Sequence, residues 1–215
     1  MTDTSRPPRA VIFDIDGTLL PDTTVSLFMA ERMGHLELIV EMEAALHAYE
    51  IDDQTFASRD AVNYRGVAVA EVEARLADLP LIAGLEEVCR RLTATGVLVM
   101  LASCSWNFAG RYLQHRFGLN DHCGSEMEEA DGIFLGRVAR VCSDRDKATH
   151  ATAFARRYGI DIGDCIAVGD SRSDLPLFKV AGRAIALNAR SDARAATDEH
   201  LDTDDLRDLL PLLGL

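Results

Sequence analysis

The chain has 215 residues and a formal net charge of −13, with 48% hydrophobic and 27% charged residues. That length suits one medium domain, or one domain carrying an insertion, and the balance is that of a globular protein rather than a disordered one. The acidic excess argues against broad nucleic-acid binding, which needs a positive field.

No apolar run approaches the roughly 18 residues that would span a bilayer, so no membrane partner is expected. The first nine residues, MTDTSRPPR, have no apolar stretch and read as a short flexible arm rather than a secretory signal. Cys89, Cys104, Cys123, Cys142 and Cys165 are scattered, with no C-x-x-C pair. Neither a zinc site nor a disulfide framework is expected, and a reducing cytoplasm fits best.

In chain order, Arg9 to Phe13 is a short apolar, β-branched run that predicts a buried strand, ending at Asp14-Ile15-Asp16-Gly17-Thr18. The stretch from Asp22 to Leu79 has no strand-like run. Val25, Phe28, Met29 and Met33 form an apolar stripe at helical spacing. Ile39, Val40, Met42, Leu46 and Tyr49 suggest a second helix, and Val69 to Ala77 a third. An all-helical block, residues 22–79, inserted after the first strand is the natural reading.

Leu85, Val88, Cys89 and Leu92 then follow a helical period, ahead of a second strand over Val97 to Ala102. Phe108 to Phe117 reads as a helix after it. Asp131 to Val138 looks like a small hairpin beside the sheet. Ala148 to Tyr158 reads as a helix before a third strand, Cys165 to Val168. Leu175 to Ala181 is a further helix, and Ala184 to Leu187 a fourth strand. This alternation predicts an α/β fold, a doubly wound, Rossmann-like parallel sheet formed by residues 1–21 and 80–215.

Each notable polar residue falls where a predicted strand ends, and open α/β sheets bind ligands there. Asp14 and Asp16 end the first strand, Ser103 follows the second, and Asp170 and Asp174 follow the third. Taken singly, each has an ordinary explanation: turn chemistry, a helix cap, a solvated charge. Together, four converging carboxylates would repel one another, by roughly 4 kcal/mol for a pair 4 Å apart at an effective dielectric of 20. A bound hard cation relieves this, and oxygen ligands with open water positions suit Mg²⁺.

With Asp14-Ile15-Asp16-Gly17-Thr18-Leu19, Ser103, Lys147 and Gly169-Asp170-Ser171-Arg172-Ser173-Asp174 in order, the chain resembles the haloacid dehalogenase superfamily. The helical insertion is similar to the cap of its phosphoserine phosphatase-like branch. The resemblance implies Mg²⁺-dependent hydrolysis of a small phosphorylated metabolite, by a monomer or homodimer. Asp14 would be the nucleophile that forms an aspartyl-phosphate. Asp16 would be the general acid and then the base. Ser103 and Lys147 would hold the phosphate oxygens. The metal would be held by Asp14, the carbonyl of Asp16 and Asp170, with Asp174 in support. Asp16 favours a phosphatase over a dehalogenase, because a halide leaves without a proton. A phosphomutase or phosphotransferase on the same core, and a binding module with residual activity, are the alternatives.

The resemblance thins around the substrate's leaving group. Phosphoserine phosphatases follow the second-motif serine with two glycines and a phenylalanine; here Cys104-Ser105-Trp106 stand there. Their ammonium-reading glutamate would fall near Thr23, with Asp22 as the neighbouring carboxylate. Arg59 and Arg65 lie where the cap supplies an arginine for the substrate carboxylate. Ser105 and Trp106 would reshape that side of the pocket, so the expectation is that phosphoserine is a poor substrate.

Overall fold

The computed structural model describes residues 7–215, so residues 1–6 of the expected N-terminal arm lie outside it. Seven strands form one sheet: β1 (Ala10–Phe13), β2 (Leu98–Trp106), β3 (Asp121–Ala130), β4 (Ile133–Arg140), β5 (Cys165–Gly169), β6 (Arg183–Leu187) and β7 (Glu199–Leu201). Their order is β4-β3-β2-β1-β5-β6-β7, with only the β3–β4 pairing antiparallel.

β1 is central and wholly buried, as an unbroken apolar strand in a covered parallel sheet must be. Its side chains alternate between two cores. Val11 and Phe13 meet Val99, Leu101, Ile166 and Val168 on one face. Ala10 and Ile12 meet Met100, Ala102 and Ala167 on the other. The helices α5 (Leu85–Ala94) and α6 (Asn107–Phe117) cover the first face, together with the 3₁₀ segment Leu206–Leu213. The second is covered by α7 (Asp144–Arg157), α8 (Leu175–Val180) and the short α9 (Ser191–Arg194). The chain leaves β1 toward β2 on one side and returns at β5 on the other. The carboxyl end of β1 is thus the switch point of the sheet, where such folds place ligands.

Between β1 and α5 lie α1 (Val25–Met33), α2 (Leu36–His47), α3 (Asp53–Ala61) and α4 (Val69–Arg75). Thr24 caps α1, its hydroxyl accepting from the Leu27 N–H at 3.1 Å. Of the apolar stripe expected in α2, Ile39 and Met42 are buried, whereas Val40 is exposed. Tyr49 lies past the helix end at φ 61° and is exposed.

Three features differ from the sequence-based expectation. β2 continues four residues past Ala102, so Ser103 lies within the strand, at a shift of register against β3 between Ala102 and Trp106. The expected hairpin is part of the main sheet: β3 begins as a parallel partner of β2, and the turn Asp131-Gly132 closes it with φ of 51° and 75°. Positive φ at both central residues suits the twist of a two-residue hairpin. Residues 66–69 of the helical segment also bond to that hairpin. The Gly66 N–H donates to the Phe134 carbonyl, the Phe134 N–H to Val67, and the Val69 N–H to Gly132, all at 2.9–3.0 Å.

Candidate active site

Asp14, Asp16, Ser103 and Asp170 meet in one cleft of about 1500 Å³ between the sheet and the helices α1 to α3, whereas Asp174 is fully buried and does not line it. Asp14 follows β1 directly, and its N–H donates to the Val168 carbonyl of β5 at 2.9 Å. The residue is 2% exposed. Lys147 projects from the first turn of α7, which a reciprocal cap between Ser143 and Asp146 starts at a fixed place. The Lys147 ammonium, 1% exposed, donates to Asp14 Oδ1 at 2.5 Å, Asp174 Oδ1 at 2.8 Å and Ser173 Oγ at 3.2 Å.

Asp174 is held from its other side. Its Oδ2 accepts from the N–H groups of Asp170 and Ser171, at 3.0 and 3.2 Å. Thr18 donates to both Asp14 and Asp170 at 3.5 Å. Gly17 has φ 80°, and a Cβ there would stand 2.4 Å from Asp170 Oδ2. The turn after β1 can lie against Asp170 only because residue 17 has no side chain.

Carboxylate oxygens of Asp14, Asp170 and Asp174 lie within 4.8 Å of one another. Burial and the neighbouring carboxylates push the Asp14 carboxyl well up, against the pull of Lys147. Burial, then the Asp174 charge, raises Asp170 to about 7. Three carboxylates face one ammonium here, an excess of two negative charges. Hard oxygen donors with that excess fit a divalent cation such as Mg²⁺.

Asp16 stands apart from this cluster. Its Oδ1 accepts from the Val25 N–H at 2.8 Å, at the start of α1. Burial raises it to about 6, although that N–H and the Ser105 hydroxyl favour its charged form. Ser103 is 3% exposed, and its hydroxyl accepts from the Ser105 N–H at 3.0 Å. Cys104 also lines the cleft, but burial pushes its thiol up, so it is no ready nucleophile.

The residues expected near the leaving group are dispersed. Asp22 is exposed at the cleft's edge with φ 63°. Arg59 borders an adjoining outer cavity that shares Leu46, Tyr49, Asp53 and Arg172 with the cleft. Arg65 packs against Gly136 of β4. Neither arginine lines the main cleft. Trp106 borders the cleft, yet it is 3% exposed and its indole N–H donates to Asp60 Oδ2 at 2.6 Å. Its ring stacks near Phe108 and meets Tyr64 edge-on, each with ring centroids 6.2–6.5 Å away.

Two further residues were not anticipated. Asp60, fully buried in α3, accepts from Trp106 and from the Ser26 hydroxyl at 3.3 Å, and faces His35 at 3.4 Å. Glu43 of α2 lines the cleft and accepts from the Thr24 hydroxyl at 2.5 Å. Each sits in a helix with no motif around it, so spacing alone carried no signal.

A model of haloacid dehalogenase-like hydrolases matches residues 11–179. The chain belongs to that family. It is 30% identical over 212 residues to a phosphoserine phosphatase of Streptomyces coelicolor, covering 98% of this chain and 51% of the relative. It is 28% identical over 211 residues to the phosphoserine phosphatase SerB2 of Mycobacterium tuberculosis, with the same coverage of 98% and 51%. The chain thus spans about half the length of these curated relatives. A solved structure of a substrate-bound phosphoserine phosphatase superposes with a TM-score of 0.82, over 96% of this chain and 98% of that one, at 22% identity. The fold is therefore that of the phosphoserine phosphatases. Among the described residues, no helix is long and apolar enough to cross a membrane.

Proposed function

We propose that the chain is a Mg²⁺-dependent phosphatase that hydrolyses a small phosphomonoester through an aspartyl-phosphate at Asp14. The observation that carries this reading is the contact of Asp14 with Lys147 at 2.5 Å, inside a buried cluster with Asp170 and Asp174. Family membership and the relatives' activity support it. The five cysteines, all free, fit a reducing cytoplasm.

Asp14 and Asp170, with the Asp16 carbonyl, would hold the metal. Asp174 would orient Asp170 and Lys147, since both its oxygens are already engaged. The cation supplies charge neutralisation for the phosphoryl group during transfer. The protein's own groups do the rest. Lys147 and Ser103 hold phosphate oxygens. An Asp14 oxygen forms a bond to phosphorus as the bond from phosphorus to the leaving oxygen breaks. Asp16, raised to about 6 and so able to carry a proton near neutrality, gives it to that oxygen. The same carboxylate then takes a proton from water, whose oxygen attacks phosphorus and frees Asp14.

The test is hydrolysis of p-nitrophenyl phosphate. Turnover should vanish in EDTA and return with Mg²⁺, and acid quenching should trap a phosphoenzyme. Full activity in excess chelator would end this reading.

A further inference from the structure

The leaving oxygen must come within reach of Asp16, so the rest of the leaving group lies against whatever surrounds Asp16 on the cap side. That neighbourhood is built by Thr24, Val25 and Glu43. The Val25 N–H holds Asp16, and the adjacent Thr24 hydroxyl holds Glu43. The Glu43 charge is close enough to help raise Asp16. Thr24 is the only hydrogen-bond partner of Glu43 among the described residues; none of their lysines or arginines is within ion-pair distance, and the Arg190 charge across the cleft favours the charged form of Glu43. Glu43 lines the cleft, and its Oε2 has no hydrogen-bond partner among the described residues.

The helical segment contributes no arginine or lysine to the same wall. Arg59 and Arg65 lie outside the cleft. His47, the one basic side chain that the cap contributes to the lining, accepts from Arg190 at 2.9 Å. Arg172 lies over the Tyr49 ring at 4.1 Å. Leu27, Leu46 and Phe56 complete the wall as an apolar surface. A carboxylate beside an apolar wall accepts an ammonium group and rejects a second anion.

We infer that Glu43 is a specificity residue that binds a cationic leaving group, and that the substrate class is the phosphate ester of an amino alcohol without a carboxylate. This rests on the phosphatase reading above. It also accounts for a site with the phosphoserine phosphatase fold whose helical segment lends the cleft no arginine; the two arginines that line it, Arg172 and Arg190, come from the sheet side and are engaged with Tyr49 and His47.

The experiment compares kcat/KM for O-phosphoethanolamine, 2-hydroxyethyl phosphate and O-phosphoserine, with p-nitrophenyl phosphate as the control for chemistry. The first two differ only in ammonium against hydroxyl; the third adds a carboxylate. The expected result is a preference for phosphoethanolamine of about tenfold or more over both others, the scale of one charged hydrogen bond. In Glu43→Gln that preference over 2-hydroxyethyl phosphate should fall to within about threefold. A purely structural or electrostatic effect through Asp16 would change all esters alike and leave the ratio intact, which would overturn the assignment. The wild-type ratios test the idea without any variant: a neutral or carboxylate-bearing ester turned over best would overturn it as well. Loss of p-nitrophenyl phosphate hydrolysis in the wild-type protein would instead remove the phosphatase reading, and this inference with it.

Discussion

The floor and the roof of the cleft are built on different terms. The floor comes from the ends of β1, β2 and β5 and the first turn of α7. Asp14, Ser103, Lys147, Asp170 and Asp174 are all buried there, and nearly every polar atom has a partner inside the same cluster. The roof comes from α1 to α3, and its polar groups are spaced out among Leu27, Leu46 and Phe56. The floor has little freedom: moving one carboxylate disturbs the lysine, the loop amides and the others. Away from the buried Asp60 contacts, the roof's cleft-lining side chains share few partners: Thr24 is the one hydrogen-bond partner of Glu43 among the described residues. On the proposed phosphatase reading, reaction type would be tied to the sheet, and the choice of substrate left to the helices.

The largest expected effect tests the floor. Asp14→Asn should abolish turnover and the trapped phosphoenzyme, whereas Asp16→Asn should slow turnover by roughly 10²–10⁴-fold and still bind substrate. Quench-flow with a labelled ester separates the two, and equal, mild losses would show that the aspartates do not divide the work. Next comes Asp174→Asn, which leaves the Asp170 and Ser171 amides and Lys147 poorly held. It should weaken Mg²⁺ binding by about 10–100-fold, measured by titration calorimetry. An unchanged affinity would detach Asp174 from the metal site.

A smaller effect belongs to the boundary between floor and roof. Trp106→Phe removes the indole N–H from the buried Asp60 carboxylate and should lower stability by about 1–3 kcal/mol in urea unfolding. A fall in kcat/KM without a fall in stability would return Trp106 to the substrate wall.

The smallest is a pH effect. Asp170 carries a folded pKa of about 7 against an ordinary value of 3.8. The folded state then keeps a proton that the unfolded chain has lost, so metal-free stability should decline as pH rises from about 4 to 7. If Asp170 is a Mg²⁺ ligand, as proposed, the metal would bind the deprotonated form, and adding it should flatten or reverse that slope. Thermal unfolding with and without Mg²⁺ across this range checks it; a metal-free protein that gains stability over the window contradicts the sign.

The same division governs what could be read before the structure. β1, β5 and β6 were legible because strands buried on both faces leave unbroken apolar runs, as in Ala10–Phe13. β7 was not, since Glu199-His200-Leu201 is a half-covered edge strand with no such run. The floor residues follow those runs at short, fixed offsets, and Lys147 stood out only through the resemblance. Glu43 and Asp60 reach their places by tertiary packing of α2 and α3. The polar residue beside Met42 looks like any solvated helix position until the fold shows what it faces. The arginines expected in the cleft failed to appear there for the same reason: a position in a helix does not say which wall the side chain joins.

The main-chain bonds of residues 66–69 to β4 bear on how anything enters. Three backbone hydrogen bonds, together with the Trp106–Asp60 contact, fasten the helical roof along the hairpin side. At the far edge the attachments are side chains alone: His47 to Arg190, and Tyr49 against Arg172. Lifting the whole roof would break both sets. The hairpin side is thus held by main-chain bonds, and the far edge by side chains that a substitution can remove. That far edge lies where α2 gives way to α3, one helical turn from Glu43, so removing the His47 contact would loosen the wall beside that carboxylate rather than the cluster around Asp14.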